Sequence, residues 1–305
     1  MNRILTEKKM HRHHHIKMTW GDRIYSWIVN LIAAIICLLV FYPLWYVLIA
    51  SVSKPFYVSD GTVMFWPVGF NLDSYVQALQ TDGVLRGYLN TIIITVGGTI
   101  VNMLLSVTLA YALSKKNLPF RKFFTLLVSF TMWFSAGMIP LYQTIRDYHL
   151  TNSYWGIIIS FGINVYNVVI LKSFFEQLPG DFEEAAKIDG ANTFTIFARI
   201  YLPLSKASLA TVTLFYLVTR WNGYFWASVL LTDDKLQPLQ VVLKKLLVEQ
   251  QSLSESTLTI TPDTTSAAVT VSYAIIVVAI IPMLVAYPFI QKYFKKGVTL
   301  GGVKG

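Results

Sequence analysis

The sequence predicts an all-α membrane protein, with six transmembrane helices and one polar helical insertion between the fourth and the fifth. Three observations lead there. Hydrophobic residues make up 54% of the 305-residue chain and charged residues 13%, about half the charged share of a soluble domain. The apolar residues gather into six runs, each near the roughly 20 residues that cross a bilayer. Lys and Arg, finally, fall mostly on alternate connections between those runs, as they do in polytopic proteins.

Taken in order, residues 1–24 form a polar, basic N-terminal tail holding Arg3, Lys8, Lys9, Arg12, Lys17 and Arg23. Its cluster His11, His13, His14 and His15 has no acidic or Cys ligands beside it and reads as a solvated tail rather than a metal site. The membrane domain follows over residues 25–290. Its spans are predicted at Tyr25 to Ala50, Tyr88 to Leu113, Phe123 to Ile145, Tyr154 to Phe175, Ala207 to Leu231 and Ala267 to Ile290. The first run is too long for a signal peptide and carries no small-residue cleavage site after it, so it is expected to stay in the mature chain. Residues 291–305 form the C-terminal tail. The single Cys37 lies inside the first span and cannot make an intrachain disulfide.

Charge placement sets the orientation. With the N-terminus inside, eighteen Lys and Arg fall on the cytoplasmic side and six outside (Lys54, Arg86, Arg146, Lys235, Lys244 and Lys245), with Arg220 inside a span. Both termini are therefore expected in the cytoplasm. The net charge of +9 does not point to nucleic acid, because the basic residues sit in short segments between spans. Outside, Ser51 to Gly87 is rich in aromatic residues and reads equally as an interfacial belt or a docking loop. Residues 232–266 begin Asp233-Asp234 and place Leu239, Val242, Leu243, Leu246 and Leu247 at helical spacing, which predicts an amphipathic helix capping the bundle.

The insertion at residues 178–203 is polar and helical between two spans, so it must face water. Pro179-Gly180 breaks the preceding span, and Asp181 is expected as N-cap with Glu184 completing a capping box. Glu183 and Glu184 lie in the first turn, where the helix dipole favours them. Ala185 and Ala186 give a slim face, Asp189-Gly190 ends the helix, and a second helix is expected from Asn192 or Thr193 to Pro203.

Glu184-Ala185-Ala186, then Gly190, Ile200 and Leu202-Pro203 at their spacing resemble the EAA loop of binding-protein-dependent ABC importer permeases. The tail Gly297-Val298-Thr299-Leu300-Gly301-Gly302-Val303-Lys304-Gly305 resembles the end of the maltose-type sugar permeases of that family. The resemblance implies a type I ABC importer permease fold in a bacterial cytoplasmic membrane. It also implies that the insertion is a cytoplasmic coupling helix, with Glu183, Glu184, Ala185, Ala186, Asp189, Gly190, Ile200, Leu202 and Pro203 meeting a separate ATPase. Gly301, Gly302, Val303 and Lys304 would be a second ATPase contact. The implied partners are a second, non-identical permease, two ATP-binding subunits, an extracellular substrate-binding protein and membrane lipids.

No cofactor is expected in this chain. Gly297 to Gly302 has the glycine spacing of a phosphate loop, but Val303 stands where the lysine is needed. ATP and Mg would be bound by the partner ATPase, and no catalytic constellation can be assembled. A path for a sugar is expected at Arg220, Trp221, Asn222 and Tyr224, where rings could stack on sugar and Arg and Asn bond hydroxyls. A structural role for Arg220, bonded to carbonyls, reads equally well. Similar permeases carry an acidic residue after the Trp-Asn pair, where this chain has Gly223. Asn90, Asn102, Asn164 and Asn167 are expected to tie helices together, and Pro43, Pro140, Pro282 and Pro288 to kink them. An ion-coupled transporter or channel would carry ionisable residues at mid-membrane, and apart from Arg220 the spans hold almost none. A scaffold would need no ATPase.

Overall fold

A computed structural model describes residues 19–255 and 262–301, with side chains at 19–249 and 267–288. The His-rich stretch lies outside the described residues. Among the described residues every regular element is helical. They run α1 Trp20–Ser51, α2 Pro55–Ser59, α3 Asp73–Gln80, α4 Val84–Ser114, α5 Arg121–Trp133, α6 Met138–Asp147, α7 Tyr154–Ser160 and α8 Val165–Glu176. Then come α9 Asp181–Ile188, α10 Thr193–Ile196, a π-helical stretch Phe197–Tyr201, α11 Leu202–Leu204, α12 Lys206–Trp221, α13 Phe225–Leu230, α14 Leu239–Glu255 and α15 Pro262–Gly301.

Three helices are long and apolar enough to cross a membrane unbroken: α1, α4 and the part of α15 at Ala267–Pro288. Three bent pairs are long and apolar enough when each is taken as one span, for up to six crossings: α5 with α6 at 112°, α7 with α8 at 48°, and Thr193–Leu204 with α12 at 81°. The third and fourth spans, expected as single helices, are thus broken. The fifth also differs, because its helix ends at Trp221 and a second helix starts at Phe225. Pro140 kinks nothing: it lies in the first turn of α6, where its missing N–H costs no bond. The last helix begins at Pro262, ahead of the Ala267 start expected for the sixth span, and continues to Gly301 through most of the expected C-terminal tail.

α4 is the centre of the bundle, packed on α7, α8, α12 and α14. Lipid is as apolar as Leu, so helices associate in it through close packing and polar contacts rather than greasy faces. The buried stripe of α4 obeys this: Asn90, Thr91, Thr95, Gly98, Thr99, Asn102, Ser106 and Ala110, while Leu89, Ile93, Val96, Ile100 and Leu104 face outward. Asn90 donates to the Lys235 and Gln237 carbonyls at 3.0 and 2.9 Å and accepts from the Tyr154 hydroxyl at 2.7 Å. It joins three segments, as expected. α14 is the capping helix, with Leu239 and Val242 buried against α4 and Lys244 and Lys245 exposed.

Candidate functional site

The polar insertion forms α9, which starts one residue earlier than an Asp181 cap would place it. Asp181 is the first helical residue; Gly180 holds the N-cap position and no side chain caps the helix. The expected capping box is therefore absent, because Asp181 is already inside the helix it was to cap. The first-turn acids Asp181, Glu183 and Glu184 still lie at the positive end of the helix dipole. Gly190, at φ +79°, ends α9 in a left-handed conformation that costs a side-chain-bearing residue about 1–2 kcal/mol. Asn192 then caps the next helix, its Oδ1 accepting from the Thr195 N–H at 2.8 Å.

The two glutamates of the first turn have opposite fates. Glu183 turns inward, with its side chain 19% exposed. Its Oε2 receives Lys115 Nζ at 2.6 Å and the Tyr201 hydroxyl at 2.8 Å, and its Oε1 receives Lys187 Nζ at 2.8 Å. Lys115 is the residue that ends α4. Its ammonium also lies 4.2 Å from the Tyr111 ring centre and 3.7 Å from that of Tyr201, so a cation–π contact adds to the ion pair. Burial opposes the charge on Glu183, but the hydrogen bonds from Lys115, Lys187 and Tyr201 and the charge of Lys115 outweigh it, and the carboxyl is held at about 2. For Lys115 burial wins: the ammonium is drawn below the usual lysine range against the upward pull of Glu183.

The π-helical stretch explains how Tyr201 reaches this network. A turn closed i→i+5 brings residues five apart to one side, so Ile196 and Tyr201 are both buried. They pack with Tyr111, Leu171 and Phe175, and Ala186, Ile200 and Leu202 lie against the same cluster. Pro203 sits in the first turn of α11, where its ring is tolerated. A second charge cluster lies alongside: Arg121 pairs with Glu176 and donates to the Leu113 carbonyl at 2.9 Å, and Lys172 pairs with Glu176 at 2.9 Å. Between α9 and the α4–α5 turn is a cavity of about 950 Å³ lined by Lys115, Lys116, Arg121, Glu176, Glu183 and Glu184.

The opposite side of α9 is open. Phe182, Glu184, Ala185, Ile188, Asp189 and Gly190 are exposed, Ile188 at 86%, and Phe194 beyond the turn at 74%. Of the Ala pair, Ala186 is half-buried on the cluster and only Ala185 faces out. Gly301 closes α15, and Gly302, Val303 and Lys304 lie outside the described residues.

At mid-bundle the structure gathers Arg220 with Asn102. Arg220 is 8% exposed, and its guanidinium donates to Asn102 Oδ1 at 2.8 Å and to the carbonyls of Ile157 (2.7 Å), Ile158 (3.0 Å) and Phe161 (2.7 Å). Asn102 Nδ2 takes the Phe161 and Gly162 carbonyls at 2.7 and 2.8 Å. These are the carbonyls that α7 leaves unpaired where it ends. Gly98 makes the room: a Cβ there would stand 2.8 Å from Arg220 Nε. Trp221 is also buried, its indole donating to the Ala279 carbonyl at 3.0 Å. Of the two readings of Arg220, the structure shows the bonds to carbonyls, and both Arg220 and Trp221 are bonded inside the bundle. Asn222 and Tyr224, in the break before α13, are exposed.

Sequence reasoning missed the partners rather than the residues. Lys115 and Tyr201 lie 68 and 18 positions from Glu183, beyond the reach of local spacing. The one signal available was Glu183-x-x-x-Lys187, the favourable order for an i,i+4 pair. Among the described residues no group of His, Cys, Asp and Glu could hold a metal ion.

Comparison with known proteins bears on what this arrangement is for. The family model described as binding-protein-dependent transport system inner membrane component matches residues 16–300. The polygalacturonan/rhamnogalacturonan transport system permease protein YtcP of Bacillus subtilis (strain 168) is 41% identical over 275 residues, 90% of this chain and 95% of that protein. A solved bacterial ABC transporter involved in the import of the acidic polysaccharide alginate has a chain with TM-score 0.83 and 38% identity, covering 91% of this chain and 99% of that one. A bacterial alginate ABC transporter in complex with alginate pentasaccharide-bound periplasmic protein has a chain that aligns at TM-score 0.57 and 16% identity over 88% of this chain and 95% of that one, a likeness of fold alone.

Proposed function

The chain belongs to the family of binding-protein-dependent transport system inner membrane components and is a permease of an ABC importer for sugars or oligosaccharides; from that premise we propose that α9 is its coupling helix. The observation that carries the proposal is the division of α9 into two sides. One is bolted to the end of α4 and to Tyr201 by the Glu183 network. The other presents Phe182, Ala185 and Ile188 with nothing over them in the described residues. A surface apolar segment rimmed by charge is a protein contact site. A lever needs a rigid attachment on one side and a free grip on the other, and α9 has both.

In this reading the free side seats in a separate cytoplasmic ATPase that binds the ATP and Mg, and this subunit catalyses nothing. Closure of two such ATPase subunits moves α9, and Glu183 and Lys115 carry the motion into α4. Both termini and α9 are cytoplasmic, in a bacterial inner membrane. A second permease, non-identical, completes the path, and an extracellular binding protein delivers substrate. That protein can drive the switch only by favouring one permease state. Glu184 and Asp189 are candidate partners of basic groups on the ATPase; Glu183 is not, because its oxygens are already taken. The cargo class is an acidic oligosaccharide, supported by the uronate-rich polysaccharides named for the 41% and 38% identical relatives.

The test is a photo-crosslinking residue placed at Ile188 and, as control, at Ala186. In native membranes the Ile188 probe should capture an ATP-hydrolysing protein in high yield and the half-buried Ala186 probe several-fold less. Capture of no such protein from Ile188 would end the proposal.

A further inference from the structure

The loop that follows α1 folds back on it. At its neck the Asn71 N–H donates to the Val52 carbonyl at 2.8 Å and the Lys54 N–H to the Val68 carbonyl at 3.2 Å. Val63, 2% exposed, fixes the loop to Ile49, Ala50 and Val58. From there the tip, Met64 to Pro67, runs back along the helix instead of standing away from it. The Met64 carbonyl accepts from the Tyr42 hydroxyl at 3.3 Å and the Phe65 carbonyl from the Trp45 indole at 2.9 Å. Tyr42 and Trp45 stand nine and six positions before Ser51, where α1 ends. At 1.5 Å per residue the tip has descended about 9–13 Å from that end.

α1 carries its own depth scale. From Ile24 to Ser51 it has no charged residue, and every residue from Ile35 to Phe41, about two turns, is exposed. A helix that packs on protein within a membrane presents small residues at the contact. These seven are Ile, Leu, Val, Phe and one Cys, so lipid is what surrounds them. Aromatic residues flank the stretch, Tyr25 and Trp27 on one side and Tyr42, Trp45 and Tyr46 on the other. From Trp27 to Trp45 is about 27 Å of helix, close to the roughly 30 Å of a hydrocarbon core. Such rings mark the two membrane interfaces. The tip, bonded to the second set, is therefore at interface depth.

Its chemistry fits that depth. No charged residue occurs from Gly61 to Leu72, and Met64, Phe65 and Trp66 are exposed, Trp66 at 74%. Their rings extend the aromatic set of α1, Phe65 5.7 Å from Tyr42 and Trp66 6.4 Å from Trp45. A tip standing in water needs no donors for its carbonyls, whereas lipid leaves a bare carbonyl unpaired. The two carbonyls that lie deepest along α1 are the two that its rings serve.

We propose that the Met64–Pro67 tip is a membrane anchor, with Phe65 and Trp66 inserted into the lipid interface at the C-terminal end of α1. The proposal takes the interfacial reading of this loop over the docking one, and it stands whether or not α9 is a coupling helix.

The test is a nitroxide at Phe65→Cys, in a Cys37→Ser background, on the full importer in phosphatidylethanolamine–phosphatidylglycerol vesicles. Signal from the same importer without the introduced thiol is subtracted, and Trp66→Cys serves if Phe65→Cys fails to assemble. Power saturation should show access of oxygen, which enters lipid, at least threefold above that of a polar nickel chelate. At Asp60→Cys, on the exposed shoulder of the loop, the order should reverse. Trp45→Phe, which removes the donor from the Phe65 carbonyl, should at least double chelate access at position 65; no change would overturn the role of α1 in setting the depth. Chelate access above oxygen at the tip would place it in water and overturn the proposal. Exclusion of both reagents would place it under protein, and immobilisation of the label by an added substrate-binding protein would make it a docking loop; either result overturns the proposal as well.

Discussion

One charged side chain organises each of two regions, and the two work by different rules. At mid-bundle, Arg220 is buried and spends its donors on neutral carbonyls and an amide. At the end of α4, Glu183 is partly solvated and bonds two ammonium groups and a phenol. A buried cation with uncharged partners cannot let go without leaving several groups unpaired in a dry place. A partly exposed ion-pair network loses less when it breaks, because water replaces part of what is lost. The difference separates a fixed joint from a working one: Arg220 holds the broken fourth span in shape, and Glu183 ties α9 to α4, where the proposed coupling passes.

The largest effect expected is at the fixed joint. Arg220→Met takes this donor from the Ile157 and Ile158 carbonyls and Asn102 Oδ1 and one of two side-chain donors from the Phe161 carbonyl, and should destabilise the subunit by about 3–5 kcal/mol, seen as a lost membrane level or a collapse of the thermal transition in detergent. An R220M subunit as stable as wild type would erase the contrast. Gly98→Ala comes next. Its Cβ would press on the guanidinium at 2.8 Å, and forcing that side chain aside should cost about 1–3 kcal/mol while Gly97→Ala, whose Cβ would meet only the tip of Ile158 at 3.3 Å, costs less. Thermal melts of the two variants give the comparison.

The working joint makes a smaller, pH-dependent contribution. The Glu183 carboxyl sits at about 2 in the fold against an ordinary 4.5. A depressed folded value means the stabilisation is complete above 4.5 and fades as pH falls toward 2. The difference in melting temperature between wild type and Glu183→Gln should therefore be constant from pH 8 to 5 and shrink below 4.5. A difference that peaked at acid pH would reverse the sign and refute the assignment. Smallest of all is Glu184→Gln, which should leave stability unchanged because this carboxylate is exposed.

Much of this was legible in the sequence, and the rest was not for definite reasons. The spans, the turn at Gly190 and the Asn192 start follow from apolar run length and local turn chemistry, which neighbours decide. Asn90 and Asn102 as helix ties follow from the cost of an amide in lipid. The breaks in the third and fourth spans escaped because hydropathy averaged over a span does not register four residues such as Phe134 to Gly137. Which glutamate of α9 faces inward escaped because helix phase is set by Lys115, 68 residues away. Arg220 escaped in half: a buried role was foreseen, but its acceptors lie 59 to 118 positions off.

The claim that α9 transmits force through Glu183 is tested most directly by the ATPase activity of the assembled importer carrying Glu183→Gln. The account predicts normal assembly and basal hydrolysis, with the binding-protein-stimulated rate and sugar uptake falling together by about tenfold, the equivalent of about 1.4 kcal/mol. Stimulated hydrolysis and uptake equal to wild type would contradict it, since α9 would then be moving the bundle without its inner anchor.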